Sequence, residues 1–192
     1  NALIKSTVPL APVRTAVVHP CDTLSLEGAL EAAAKDMIIP VLIGPIAKIQ
    51  AAAEACERDL TGIEIVDVPH SHAAAEQAVA LAHAGRVDML MKGKLHTDEL
   101  LKPIVHKTTG LRTDRRLSHV FALDVPHYPK LLFVSDAAIN IFPDLQTKRD
   151  IVQNAIDLAR ALGIAMPKVA VLSAVETVTP TIPSTVDAAG LC

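Results

Sequence analysis

Residues 87–97 read Val-Asp-Met-Leu-Met-Lys-Gly-Lys-Leu-His-Thr. Val87 to Met91 has the length and apolar content of a buried strand, and a helical pattern follows from about Thr97 to His106. The chain therefore leaves a strand and enters a helix through one short turn at Lys92-Gly93-Lys94. The same switch occurs three times upstream. Thr15–His19, Ile38–Ile43 and Ile63–Val68 are short runs rich in Val and Ile, although Pro40 weakens the second. Between them lie helical stretches from Leu26 to Lys35 with Ser25 as cap, from Gly44-Pro45 to about Arg58, and from Ser71 to Ala84 with Gly85 as the stop. Strands that alternate with helices, and that are continuously apolar, predict an α/β fold: a mostly parallel sheet with helices on both faces.

Downstream the alternation breaks. Arg116–Leu123 and Lys130–Ser135 are extended runs joined by Asp-Val-Pro-His-Tyr-Pro, and they read as an antiparallel pair. A long helix follows from Leu145 to Leu162, closed by Gly163, and Lys168–Leu172 reads as another buried strand. This break places a lobe boundary near residue 116, with residues 1–116 as a first α/β lobe and 117–192 as part of a second. With Pro9 and Pro12 and no long apolar run near the start, no signal peptide is expected within these residues, and no stretch approaches the ~18 apolar residues of a membrane span. The chain begins without Met and stops at Cys192, just after an incipient helix at Asp187-Ala188-Ala189. It is expected to be a piece of a longer polypeptide.

The 192 residues are 51% hydrophobic and 20% charged, which excludes a disordered tail. With three Phe, one Tyr and no Trp, the core must be aliphatic, and the aromatic platforms that stack nucleobases are missing. A net charge of −3 also argues against nucleic acid. Cys21, Cys56 and Cys192 are too scattered for a disulfide framework or a zinc site, which points to reduced thiols and a cytoplasmic protein. No dinucleotide glycine turn, Walker loop, CxxC, HExxH or GxSxG sequence occurs. His70-Ser71-His72 is the one close histidine pair and lacks a third ligand, so no metal site is expected.

Three segments carry chemistry. Gly93, Lys94 and Thr97 lie at the carboxyl end of a strand, where open α/β sheets place ligands and a helix start offers amides to an anion. The same residues also suit an ordinary turn with solvated lysines and a Thr cap. Lys102, Lys107, Arg112, Arg115 and Arg116 face only Asp114, a local charge of +4 in 15 residues that leaves −7 elsewhere. That excess fits an anionic small molecule, or a solvated loop. Ser118 and His119 open the first extended run, while Asp136 and Asn140 close its partner. These four either share a cleft or serve as turn formers around a core histidine.

At these residues the sequence resembles the phosphate acetyltransferase and phosphate butyryltransferase family. The resemblance runs through MKGKLHTDELLKPIV, LSHVFAL, LLFVSDAAINIFPDLQTKRDIVQNAIDLARALGI and PKVAVLSAVETVTPTIPSTVDAA, from about Arg14 to the end. Its wording is nearer to the butyryltransferase branch, and to the acyltransferase half of proteins that also carry an enoyl-CoA hydratase domain. The resemblance implies two lobes like those of isocitrate and isopropylmalate dehydrogenases, the second incomplete, with the active site between them.

It also implies that acyl-CoA and phosphate interconvert with acyl phosphate and CoA, without metal or tightly bound cofactor, in a homodimer with CoA as substrate. Gly93 and Thr97 match the family's strand-to-helix turn, Ser118 and His119 its Ser-x-Val-Phe strand, and Asp136 and Asn140 its Asp-Ala-Ala-x-Asn segment. With Lys94 and Arg116 these form the expected substrate-binding set, and no thiol base is assigned. Family segments that carry essential Ser, Arg and Asp residues lie beyond those present. Two further readings stay open: an NAD-dependent decarboxylating dehydrogenase of the same fold, and a non-catalytic CoA-binding or oligomerisation fragment.

Overall fold

The computed structural model describes residues 2–192, with side chains from Ile4 onward; Asn1 lies outside the described residues. The chain forms two compact units, one running through Arg112 and the other spanning Thr113–Cys192. The first contains α1 (Ala2–Thr7), β1 (Val13–Val18), α2 (Thr23–Ala34), β2 (Ile38–Gly44), α3 (Ile46–Ala55), β3 (Glu64–Asp67), α4 (Ser71–His83), β4 (Met89–Lys92) and α5 (Thr97–Ile104). Its four strands are all parallel and lie in the order β3-β2-β1-β4.

The alternation of side chains along β1 and β2 builds two cores, one on each sheet face. Ala16, Val18, Val41 and Ile43 meet Ala74, Ala75, Ala78 and Leu81 of α4 and Leu100 of α5. Val17 and Leu42 meet Leu26 and Ala29 of α2 and Ile49, Ala52 and Ala53 of α3. Alanine at the contact positions lets the helices approach the sheet closely, which is how a chain with four aromatic residues closes its core. Pro40 is tolerated inside β2 for a register reason. Ile43 accepts a bond from His19 on the β1 side, so Pro40, three residues earlier, turns its nitrogen to the β3 side. The β3 ladder begins only at Val41↔Glu64, so no bond is lost there.

The second unit contains β5 (Phe121–Leu123), β6 (Leu132–Val134), α6 (Leu145–Ala161) and α7 (Pro183–Leu191). The antiparallel pair is present but short, three residues a side, where longer runs were expected from 116 and 130. Lys168–Leu172 is not a strand: no neighbour offers it a ladder among the described residues, and Val169 and Leu172 stay exposed. Helix ends also moved. Asp22, not Ser25, caps α2, because its carboxylate accepts the Ser25 amide at 2.9 Å. His70 caps α4 through Nδ1, which accepts the Ala73 amide, and this spends one member of the histidine pair on the backbone. Gly85 and Gly163 do end helices, with φ of 66° and 87°.

The close alanine contacts yield a direct expectation. Replacing Ala78, fully buried between α4 and the sheet, with Leu should destabilise the first unit by about 1–3 kcal/mol through overpacking. A lower urea midpoint would register it, and an unchanged midpoint would show that this seam is loose.

Candidate functional site

In the first unit, the helices after β1 and β4 pack on opposite faces of the sheet, α2 on one and α5 on the other. Because β1 and β4 are neighbours, the chain leaves their carboxyl ends toward opposite faces of the sheet. That is the topological switch point at which open α/β sheets bind ligands. Gly93 sits in it. A Cβ there would lie 2.5 Å from the Val18 carbonyl oxygen and 2.7 Å from that of His19. The Gly93 amide donates to Val18 O and the Lys94 amide to His19 O, each at 2.9 Å.

These bonds correct one expectation. The close approach that requires glycine is to strand β1, not to a ligand, and the Gly93 and Lys94 amides are not free to cradle an anion. The Thr97 hydroxyl engages no protein partner among the described residues, and α5 begins without a side-chain cap. The Lys94 ammonium is exposed, 3.8 Å from Asp22.

His19 was missed by the sequence reading and organises this turn. Its backbone takes a left-handed φ of 57°, its amide donates to Ile43 O, and its Nδ1 lies 2.5 Å from the Lys94 carbonyl oxygen. Since a carbonyl can only accept, Nδ1 carries the proton. Hydrogen bonds from Ser25 hold the neighbouring Asp22 carboxyl below the ordinary range. A groove of about 780 Å³ elsewhere in this unit runs between α4 and α5, lined by His72, Glu76, His83, Glu99, Lys102 and His106. Among the described residues, no three His, Cys, Asp or Glu side chains group as metal ligands.

The second unit brings Ser118, His119, Asp136 and Asn140 together. Asp136 accepts the His119 amide on Oδ1 at 2.8 Å, and the Asn140 amide and side-chain nitrogen on Oδ2 at 2.6 and 2.7 Å. Asn140 also donates to Leu117 O, and the Ser135 hydroxyl donates to His119 O. Burial raises the Asp136 pKa, yet the bonds from His119, Asn140 and Ala138 together outweigh it and hold the carboxyl below the ordinary range. The His119 ring rests against Phe121, centroids 4.4 Å apart.

Helix α6 supplies a second support. Asp150, Asn154 and Asp157 recur at four and three residues, so they share one face. Asp150 accepts the Arg116 amide, and this bond above all lowers its pKa. Asn154 donates to Arg116 O at 2.8 Å and to Ser118 Oγ at 2.9 Å. Asp157 and Asn154 both accept from Arg115. Arg115 therefore leaves the expected cationic cluster to serve structure, whereas the exposed Arg116 guanidinium makes no ion pair among the described residues. The three α6 residues went unread in the sequence, although their 150/154/157 spacing on a helix was visible there.

These features define a class: an α/β protein with a glycine turn at the sheet's switch point in one unit and a carboxylate-pinned polar loop in the other. The family described as "Phosphate acetyl/butaryl transferase" matches residues 70–191, and the chain belongs to it. It is 60% identical over 192 residues, all of its length, to a "Phosphate acetyltransferase" of Rhizobium meliloti, and 38% identical over 191 residues to a "Phosphate butyryltransferase" of Clostridium acetobutylicum. It spans 61% of the first relative and 64% of the second. The expected nearness to the butyryltransferase branch is reversed in this pair. A branched-chain phosphotransacylase from Enterococcus faecalis superposes with a TM-score of 0.74 at 28% identity, covering 93% of this chain and 62% of that one.

Two substitutions test the geometry. Gly93→Ala should destabilise the first unit by about 1–3 kcal/mol, because its Cβ meets backbone rather than a movable side chain; wild-type thermal stability would contradict the close approach. Asp136→Asn should cost the second unit about 1–3 kcal/mol, since it turns an amide donor toward amide donors. The depressed folded pKa of Asp136 gives stability that is complete above the unfolded carboxylate range, near 4, and is lost as pH falls through the folded value. Acid titration of wild type and variant should therefore converge at low pH. A constant gap at all pH values would contradict it.

Proposed function

We propose that this chain takes part in phosphate acyl transfer, the interconversion of acyl-CoA and phosphate with acyl phosphate and CoA. Family membership over residues 70–191, together with close relatives named for that reaction, carries the reading. The 60% identity favours acetyl as the acyl group. In the thioester-forming direction the CoA thiol gives up its proton and sulfur bonds to the carbonyl carbon. The carbon–oxygen bond to phosphate then breaks, its electron pair leaves on phosphate, and the departing phosphate ends with the proton the thiol gave up. Such a reaction needs donors at the developing oxyanion and cations around the departing phosphate. In the first unit the candidate groups are Lys94 and the Thr97 hydroxyl, with Gly93 shaping their turn. In the second, taken by itself, they are Arg116, Ser118, His119 and Asn140, with Asp136 as their anchor. Asp136 is a poor candidate for the thiol base, because four N–H groups already stabilise its charge.

CoA is read as a substrate and no tightly bound cofactor is invoked. A cytoplasmic homodimer with a dehydrogenase-like fold, free of nucleic acid and membrane, completes the proposal. No described helix is long and apolar enough to cross a membrane.

Incubating the protein with acetyl phosphate, CoA and excess chelator should produce the thioester, followed by its ultraviolet absorbance. Arg116→Ala should weaken acetyl phosphate binding by about tenfold, an effect that shrinks as salt rises. Absence of both thioester formation and calorimetric binding of either substrate would overturn the reading.

A further inference from the structure

We propose that Asn154 is a positioning residue that fixes Ser118 as a hydrogen-bond donor toward the anionic substrate. The proposal rests on the acyl-phosphate reading above. It begins with the orientation of one amide. Asn154 Oδ1 faces the Arg115 guanidinium at 3.3 Å, and Nδ2 faces the Arg116 carbonyl oxygen at 2.8 Å. A guanidinium only donates and a carbonyl only accepts, so the two ends of the amide cannot be exchanged. Nδ2 has two protons. One goes to Arg116 O and the other to Ser118 Oγ at 2.9 Å. The serine hydroxyl is thereby an acceptor toward α6. Its own proton points elsewhere and finds no protein acceptor among the described residues.

The surroundings give that proton a use. Ser118 adjoins His119, whose amide and carbonyl are both taken, by Asp136 and by Ser135 with Ala137. Two residues earlier stands the exposed Arg116 guanidinium, which makes no ion pair among the described residues though its charge is felt by Asp144, and whose backbone amide is held by Asp150. Segment 115–118 is thus hung on α6 by bonds to Asp150, Asn154 and Asp157, with its arginine and its hydroxyl proton left for a ligand. A hydroxyl with its lone pair already engaged and its proton free binds a phosphate or carbonyl oxygen without first breaking a bond within the protein.

Acetyl phosphate binding to wild type, Ser118→Ala, Asn154→Ala and the double variant, followed by calorimetry, tests this, with thermal unfolding recorded alongside. Each single variant should bind roughly five- to tenfold more weakly, the effect of one charge-assisted hydrogen bond. The double variant should be no weaker than either, because the two residues act as one unit. Ser118→Thr, which keeps the hydroxyl, should restore much of the affinity. A merely structural Asn154 would lower the melting temperature and leave acetyl phosphate binding at the wild-type level, and that result overturns the proposal. So do losses that multiply in the double variant.

The Asn154 side-chain amide signals in nitrogen-15 spectra separate this claim from the functional one. They should shift on Ser118→Ala, and unshifted signals overturn the positioning whatever the ligand. Shifted signals in a protein that binds neither acetyl phosphate nor CoA leave the Asn154–Ser118 bond standing and overturn the acyl-phosphate role.

Discussion

The Asp136 carboxylate, with the amides of His119, Ala138 and Asn140 and the Asn140 side chain donating to it, is the constraint on which the second unit's polar loop depends. The unit has two strands of three residues each, so a ladder can satisfy few of its backbone groups. Buried N–H groups must still find acceptors. Here side chains provide them: Asp136 for the 119 and 136–140 segments, Asp150 and Asn154 for the 115–118 segment, and Asp144 for the start of α6. The residues that hold the loop in shape are the same residues that leave Arg116 and Ser118 available.

The first unit solves the problem in the opposite way. Its site turn is satisfied by backbone, since Gly93 and Lys94 extend the pairing of β1 and β4 beyond the last ladder residues. Only a residue without a Cβ lets the chain lie that close. His19 locks the turn from the other strand through its ring and its left-handed backbone. The groups of this turn without a backbone task are the exposed Lys94 ammonium and the Thr97 hydroxyl, not the paired amides. In one unit acceptor side chains arrange the backbone, and in the other the backbone arranges the side chains.

This difference explains what could be read from residues alone. Strand and helix periodicity places β1 to β4 and α2 to α5, because in a parallel sheet covered on both faces the apolar pattern is the packing. Proline 40 was an apparent obstacle only because register against β3 is not visible in one strand. Ser25 was an apparent cap because the helix starts nearly a turn earlier, where Asp22 accepts the Ser25 amide and leaves Ser25 inside the first turn. In the second unit, apolar runs at 116–123 and 168–172 overstate the strands, since pairing needs a partner that composition does not supply. The positive cluster from Lys102 to Arg116 was visible, but which arginine pairs with α6 was not: that depends on the polar face of the helix, some 40 residues on. Asp136 and Asn140 were legible as a pair through the family resemblance, whereas their role as an anchor required the hydrogen bonds.

Amide hydrogen exchange of the second unit tests the central claim most directly, namely that side-chain carboxylates and not a sheet hold the polar loop. Measured above the carboxylate range, the amides of Arg116, His119 and Asn140, which donate to Asp150 and Asp136, should exchange as slowly as amides in the middle of α6. Replacing Asp136 with Asn should release His119 and Asn140 while leaving Arg116 protected. Unprotected exchange at all three positions in the wild type, or equal release of all three in the variant, would contradict the account.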